Sequence, residues 1–91
     1  MILVSYDIKD DKLRTKFAKF IKKFGGRVQY SVFEITHSDT MLDKIRHAIT
    51  NEFETKFTKE DSILIIETSK TCKITRFGYA KDDESDVVIV E

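Results

Sequence analysis

The chain has no proline and no tryptophan, only three glycines, and a single cysteine. Without proline to interrupt elements and with little glycine for unusual backbone, its 91 residues read as regular helices and strands joined by short connections. One cysteine excludes an intrachain disulfide and fits a reducing cytoplasm. No apolar run approaches the length that spans a bilayer. The opening MILVSYD reaches Asp7 with no basic leader, so neither a membrane segment nor a signal peptide is expected. Net charge is missing too, since 16 Lys and Arg balance 16 Asp and Glu. That balance does not exclude a polyanionic partner, because the charge is segregated. Lys9, Lys12, Arg14, Lys16, Lys19, Lys22, Lys23 and Arg27 face only Asp10 and Asp11 within their stretch, whereas residues 82–91 carry acids and no base. A local basic face binds a polyanion whatever the total.

Hydrophobic residues make up 41% of the chain and charged residues 35%, a globular rather than a disordered composition. One domain of this size buries ~60–65% of its unfolded surface. Little is left for an enclosed active site, so a site shared between two subunits is expected. Ile2–Tyr6 has the pattern of a buried strand. Asp10 and Asp11 offer an N-cap, and Leu13, Phe17, Phe20, Ile21 and Phe24 recur at helical spacing up to Gly25-Gly26, which are expected to close the helix in a left-handed cap. In residues 27–36, Val28, Tyr30 and Val32 alternate on one phase while Phe33 and Ile35 continue on the other. The switch requires a bent strand or a very tight strand pair near Ser31-Val32. Ser38 or Asp39 caps a second helix bearing Leu42, Ile45, Ile49 and Phe53. Asp61–Thr68 reads as a strand, Cys72–Phe77 as its hairpin partner, and Val87, Val88, Ile89 and Val90 as a strand exchanged with another subunit. The order predicts an α+β, ferredoxin-like sandwich with an antiparallel-containing sheet and two helices on one face. Residues 1–78 form the domain, and 79–91 an acidic spacer with the exchange strand.

Chemical motifs are scarce. No Gly-rich phosphate loop, nucleophile elbow or His-Glu-x-x-His is present. His37 and His47 lack metal-ligand spacing and read as surface residues. Cys72 has no evident base partner. Asp7 ends the first strand, where βα units place functional groups; its carboxylate either holds Mg²⁺ or satisfies the following turn, and the residues alone leave both open. Lys12, Arg14 and Lys16 in the first helical turns serve either solubility or phosphate contact.

Tyr6-Asp7, Asp10-Asp11-Lys12-Leu13-Arg14 and the run Gly26-Arg27-Val28-Gln29-Tyr30-Ser31-Val32-Phe33-Glu34 together resemble the CRISPR-associated protein 2 family, the small subunit of the spacer-acquisition complex. The resemblance implies a ferredoxin-like homodimer whose C-terminal strand packs on the partner's sheet. It implies a cytoplasmic protein that binds double-stranded DNA and the large integrase subunit. It also places Asp7, from two protomers, as a shared Mg²⁺ ligand and catalytic residue in members with nuclease activity. Lys12 and Arg14 match helix-start DNA contacts; Lys16 and Arg27 join them as candidate cations, and Arg76 and Lys81 match more loosely. Gln29 and Ser31 are expected at the dimer interface with the terminal strand. Three functions follow: a non-catalytic DNA scaffold, a Mg²⁺-dependent endonuclease on RNA or DNA, or a stand-alone toxin-type ribonuclease of the VapD kind. Asp82-Asp83-Glu84 depart from the basic segment found in relatives, which weakens DNA contact from that end.

Overall fold

A computed structural model describes residues 1–75, 77 and 78 of the chain. Arg76, Lys81, the 79–91 segment and the expected exchange strand at Val87–Val90 lie outside the described residues. β1 (Ile2–Asp7) alternates as a strand with one covered face does: Ile2, Val4 and Tyr6 are buried, and Leu3, Ser5 and Asp7 are not. Asp10 caps α1 (Asp11–Ile21), its carboxylate accepting the Leu13 N–H at 2.8 Å. Leu13, Phe17 and Ile21 then bury one stripe of α1 against the sheet.

The glycine pair does not close the helix as expected. α1 passes through a 3-10 turn at Lys22–Phe24 straight into β2 (Gly25–Gln29), and Gly25 has φ 179°, which is extended backbone. Proximity explains this glycine. β2 runs so close to β3 (Val32–Ile35) that a Cβ at Gly25 would stand 1.9 Å from the Glu34 carbonyl oxygen, whereas one at Gly26 meets nothing within 4 Å.

Residues 27–36 resolve into the tight strand pair. β2 and β3 are antiparallel, joined through Tyr30 and Ser31, with a register shift between Arg27 and Gln29. No described non-glycine residue has positive φ, so this is not a mirror-image hairpin turn, the form that wants Asn-Gly. The extra residue of the bulge, Val28, absorbs the twist mismatch and restores pairing of Arg27 with Phe33 and of Gln29 with Val32.

α2 (Asp39–Ala48) begins at Ser38, whose hydroxyl accepts the Met41 N–H at 3.3 Å. It continues into a π turn at Ile49–Phe53, where the Glu54 N–H bonds the Ile49 carbonyl, and then a 3-10 turn to Lys56. The wide turn delivers Phe53, 1% exposed, onto Phe17 with ring centroids 5.0 Å apart and planes at 85°. β4 (Ser62–Glu67) completes a sheet of order β2-β3-β1-β4 in which every neighbouring pair is antiparallel. Strands joined by a helix are thus parallel with one strand between them, and both helices lie on one face: a ferredoxin-like α+β sandwich.

Cys72–Phe77 was expected to pair with β4, and the described part of it does not. Thr68 closes the sheet by donating its N–H to Met1 O at 2.8 Å, and the chain then turns, Cys72 N–H bonding Ser69 O at 3.2 Å. Residues 72–75 and 77 form no strand, and Cys72 is a half-buried free thiol. On the open face of the sheet Leu64, opposite Ser5, is 59% exposed, and Ile66, opposite Leu3, is 38% exposed.

Gly25→Ala is expected to cost about 2 kcal/mol or more, because the clash is with backbone that cannot rotate away. Gly26→Ala is expected to stay within about 0.5 kcal/mol of the parent. Urea unfolding of the two variants checks the contrast.

Candidate nucleic-acid interface and the strand-end aspartate

Asp7 is the last residue of β1, paired with Ser62 of β4. It follows buried Tyr6, so the strand period turns its side chain to the open face, and its carboxylate is 64% exposed. The Lys9 ammonium lies 3.1 Å from Asp7 Oδ1. Sequence reasoning passed over Lys9 as a partner, because its pairing depends on how Ile8 folds inward between the two.

The Ile8-Lys9 turn is held from two sides. Asp61, just before β4, accepts the Lys9 N–H at 2.8 Å with one oxygen. Its other oxygen accepts the Thr58 N–H at 2.8 Å and the Thr58 hydroxyl at 3.2 Å. Hydrogen bonds from the Thr58 and Lys9 backbone hold the Asp61 carboxyl below its ordinary value. From the other side Arg14 donates to the Ile8 carbonyl at 3.0 Å and the Lys9 carbonyl at 3.3 Å, and pairs with Asp11. Arg14, expected as a DNA contact, is therefore first a clamp on the turn that carries Asp7 and Lys9. Asp61 was read from sequence only as the start of a strand.

A divalent cation wants several oxygen ligands. Among the described residues no group of three His, Cys, Asp or Glu side chains comes together, and Asp7 faces an ammonium. Among the described residues, no second and third ligand join Asp7 to hold Mg²⁺.

The cations expected at one basic patch separate into two groups. Lys12, Lys16, Lys19 and Lys23 recur at the spacing of a single helical stripe. Lys16 stands 5.9 Å from the Phe53 ring centroid, and Lys12 and Lys16 share a shallow depression with Lys56, beyond the π turn. Lys56 is another cation that sequence reasoning missed; only the fold brings it beside α1. On the side of this stripe away from Lys56, Arg14, Lys22 and Arg27 line a cleft of about 250 Å³ with Tyr6 and Tyr30, and Lys19 borders both groups. There the Arg27 guanidinium lies 4.9 Å from the Phe33 centroid and 5.9 Å from that of Tyr30, and donates to the Tyr30 carbonyl. Burial pushes the Tyr6 phenol above its ordinary value against the lowering effect of Arg27, so it stays neutral.

Of the expected interface residues, Ser31 accepts the Tyr6 N–H at its carbonyl at 3.1 Å, beside Asp7, and borders the cleft. Gln29 is half-buried opposite Val32. His37 and His47 are both exposed. No helix among the described residues is long and apolar enough to cross a membrane.

The family model for CRISPR associated protein Cas2 matches residues 1–76. A CRISPR-associated endoribonuclease Cas2 of Methanospirillum hungatei is 31% identical over 90 residues, covering 97% of each chain. A Thermus thermophilus CRISPR-associated endoribonuclease Cas2 is 28% identical, covering 96% of this chain and 95% of its own. Among crystal structures, a hypothetical protein of Thermus thermophilus superposes with a TM-score of 0.72 at 29% identity, over 86% of this chain and 89% of that one. Streptococcus pyogenes Cas2 superposes at 0.63 with 31% identity, over 77% and 87%.

The depressed Asp61 carboxyl has a signed consequence. A group titrating below its ordinary value of 3.8 contributes stability that is present above that value and is lost as pH falls through its native one. Asp61→Asn is therefore expected to lower Tm at neutral pH and to converge on the parent at the acid end of a melting series.

Proposed function

The chain belongs to the CRISPR-associated Cas2 family, and from that premise we propose that it serves CRISPR adaptation as a homodimeric scaffold that holds duplex DNA by its phosphates and bridges copies of the large integrase subunit. The observation that carries this reading is the stripe Lys12, Lys16, Lys19, Lys23 continued by Lys56. From Lys12 to Lys23 the stripe runs about 16 Å at the helical rise, long enough to follow several successive phosphates of one strand. Such contacts position a duplex and carry no sequence information. The second copy covers the open sheet face at Leu64 and Ile66. Gln29 belongs to that contact, Ser31 borders it at the turn between β2 and β3, and Val87, Val88, Ile89 and Val90 add a strand across it. Arg76 extends the basic surface.

A metal-dependent endonuclease is the second reading, because relatives are named endoribonucleases and Asp7 stands on the face that exposes Leu64 and Ile66. A second copy on that face brings a second Asp7 near the first, which one chain lacks. On this second reading Mg²⁺ is held between the two Asp7 carboxylates of a dimer.

Two measurements separate the readings. Each of Lys12→Ala, Lys16→Ala and Lys56→Ala is expected to flatten the slope of log affinity for duplex DNA against log salt by about 0.9. Unchanged slopes in all three would sink the stripe. Asp7→Ala is expected to leave duplex binding and the complex with the integrase subunit intact on size-exclusion chromatography with light scattering. If purified dimer cleaves RNA in Mg²⁺ and Asp7→Ala abolishes it, the endonuclease reading stands; cleavage that survives the substitution rejects Asp7 as its ligand.

A further inference from the structure

We propose that Lys9 is the resident counter-cation of the strand-end carboxylate: its ammonium occupies Asp7, and a divalent cation reaches that carboxylate only by displacing it. This concerns the regulation of the Asp7 site and rests on the second reading above for its choice of ion. The donor set carries it. Asp7 brings one carboxylate, its partner is an ammonium at 3.1 Å, and neither side chain has another partner among the described residues.

Lys9 is delivered to Asp7 by a turn with little freedom of its own. Ile8, 2% exposed, folds into the core between them. Asp61 accepts the Lys9 N–H at 2.8 Å, and Arg14 donates to the Ile8 and Lys9 carbonyls. The backbone on both sides of the Lys9 Cα is therefore fixed, and only the side-chain torsions remain to be ordered in the contact. Asp61 precedes Ser62, the partner of Asp7 across β1 and β4, yet it is not a second ligand in waiting. One of its oxygens is spent on the Lys9 N–H and the other on the Thr58 N–H and hydroxyl.

Mg²⁺ asks for an octahedron of oxygens and gives up its waters reluctantly. An ammonium asks less, since it brings three donors on a flexible stem and imposes no coordination geometry. Once displaced it stays tethered two residues from Asp7, a like charge beside the incoming dication. Both side chains are more than half exposed, so the pair is worth little in free energy and salt screens it. Lys9 therefore tunes metal affinity over a few-fold range and does not abolish it. In a dimer that brings two Asp7 carboxylates together, two ammonium groups arrive with them, and the joint site is neutral before any metal binds.

The test titrates the isotope-labelled full chain with Mn²⁺, which takes the same oxygen ligands as Mg²⁺ and broadens the amide signals near it. Lys9→Met keeps the stem and removes the charge. It is expected to lose the Asp7 and Ile8 signals at a Mn²⁺ concentration about two- to fivefold below the parent's. Lys9→Arg, which keeps the charge, is expected to behave as the parent does. So is Lys44→Ala, which removes one positive charge from α2 and separates the ion pair from net charge. Asp7→Asn added to Lys9→Met should abolish the broadening, and unchanged signals elsewhere certify the folds. Equal concentrations for parent and Lys9→Met overturn the proposal, as does a gain matched by Lys44→Ala or broadening that survives Asp7→Asn. RNA cleavage in Mg²⁺ by the same proteins keeps the two readings apart. Cleavage that needs Asp7, with no gain in Mn²⁺ binding on loss of Lys9, removes the counter-cation and leaves the endonuclease. A gain with no cleavage by any of them upholds Lys9 and removes the endonuclease.

Discussion

The alternation of β1 is the constraint on which the rest of the molecule depends. β1 is hydrogen-bonded on both sides, to β3 and to β4, so its register sets theirs. Ile2, Val4 and Tyr6 must be buried beneath the helices, and the period of two then turns Leu3, Ser5 and Asp7 outward. Asp7 faces the open side for no reason of its own; its direction follows from where Tyr6 goes.

Tyr6 in turn joins the two layers. Its ring meets Phe17 of α1 edge-on at 5.1 Å and lies over Phe33 of β3 at 6.3 Å. Phe17 makes the matching edge contact with Phe53. This chain of rings ties the central strand to both helical segments, and the π turn after α2 is what lets Phe53 reach it. The same turn leads to Lys56 and then to Asp61, which grips the Lys9 N–H. Core packing at one end of α2 thus places both a cation beside α1 and the acceptor that holds the Asp7–Lys9 turn.

The elements themselves were legible because their signals are local. The β1 pattern, the Asp10 and Ser38 caps and the apolar stripes of both helices match the structure at those residues, and the phase switch in 27–36 marked a bend or a strand pair, which the structure resolves as the pair. Gly25 misled because a left-handed cap and a close approach of two strands ask for the same residue, and only the position of Glu34 tells them apart. The described part of Cys72–Phe77 misled because alternation marks a segment able to form a strand, not one that has a strand edge to pair with. The site was less legible for the same reason. Asp7 was found from its place at a strand end, but Lys9, Lys56 and Asp61 acquire their roles through neighbours up to 52 positions away, and no local pattern encodes that. Arg14 was singled out for its charge, whereas its geometry gives it a loop to hold.

The strand-end carboxylate and the cationic flanks of α1 stand on opposite faces of one sheet and, apart from the Arg14 clamp on the Ile8-Lys9 turn, share little except backbone. Side chains on the two faces do not compete for the same space, so a substitution on one has little steric reason to disturb the other. Within a lineage built on this plan, the two surfaces are free to drift at different rates. One can be kept under selection while the other erodes or is recruited to a new task.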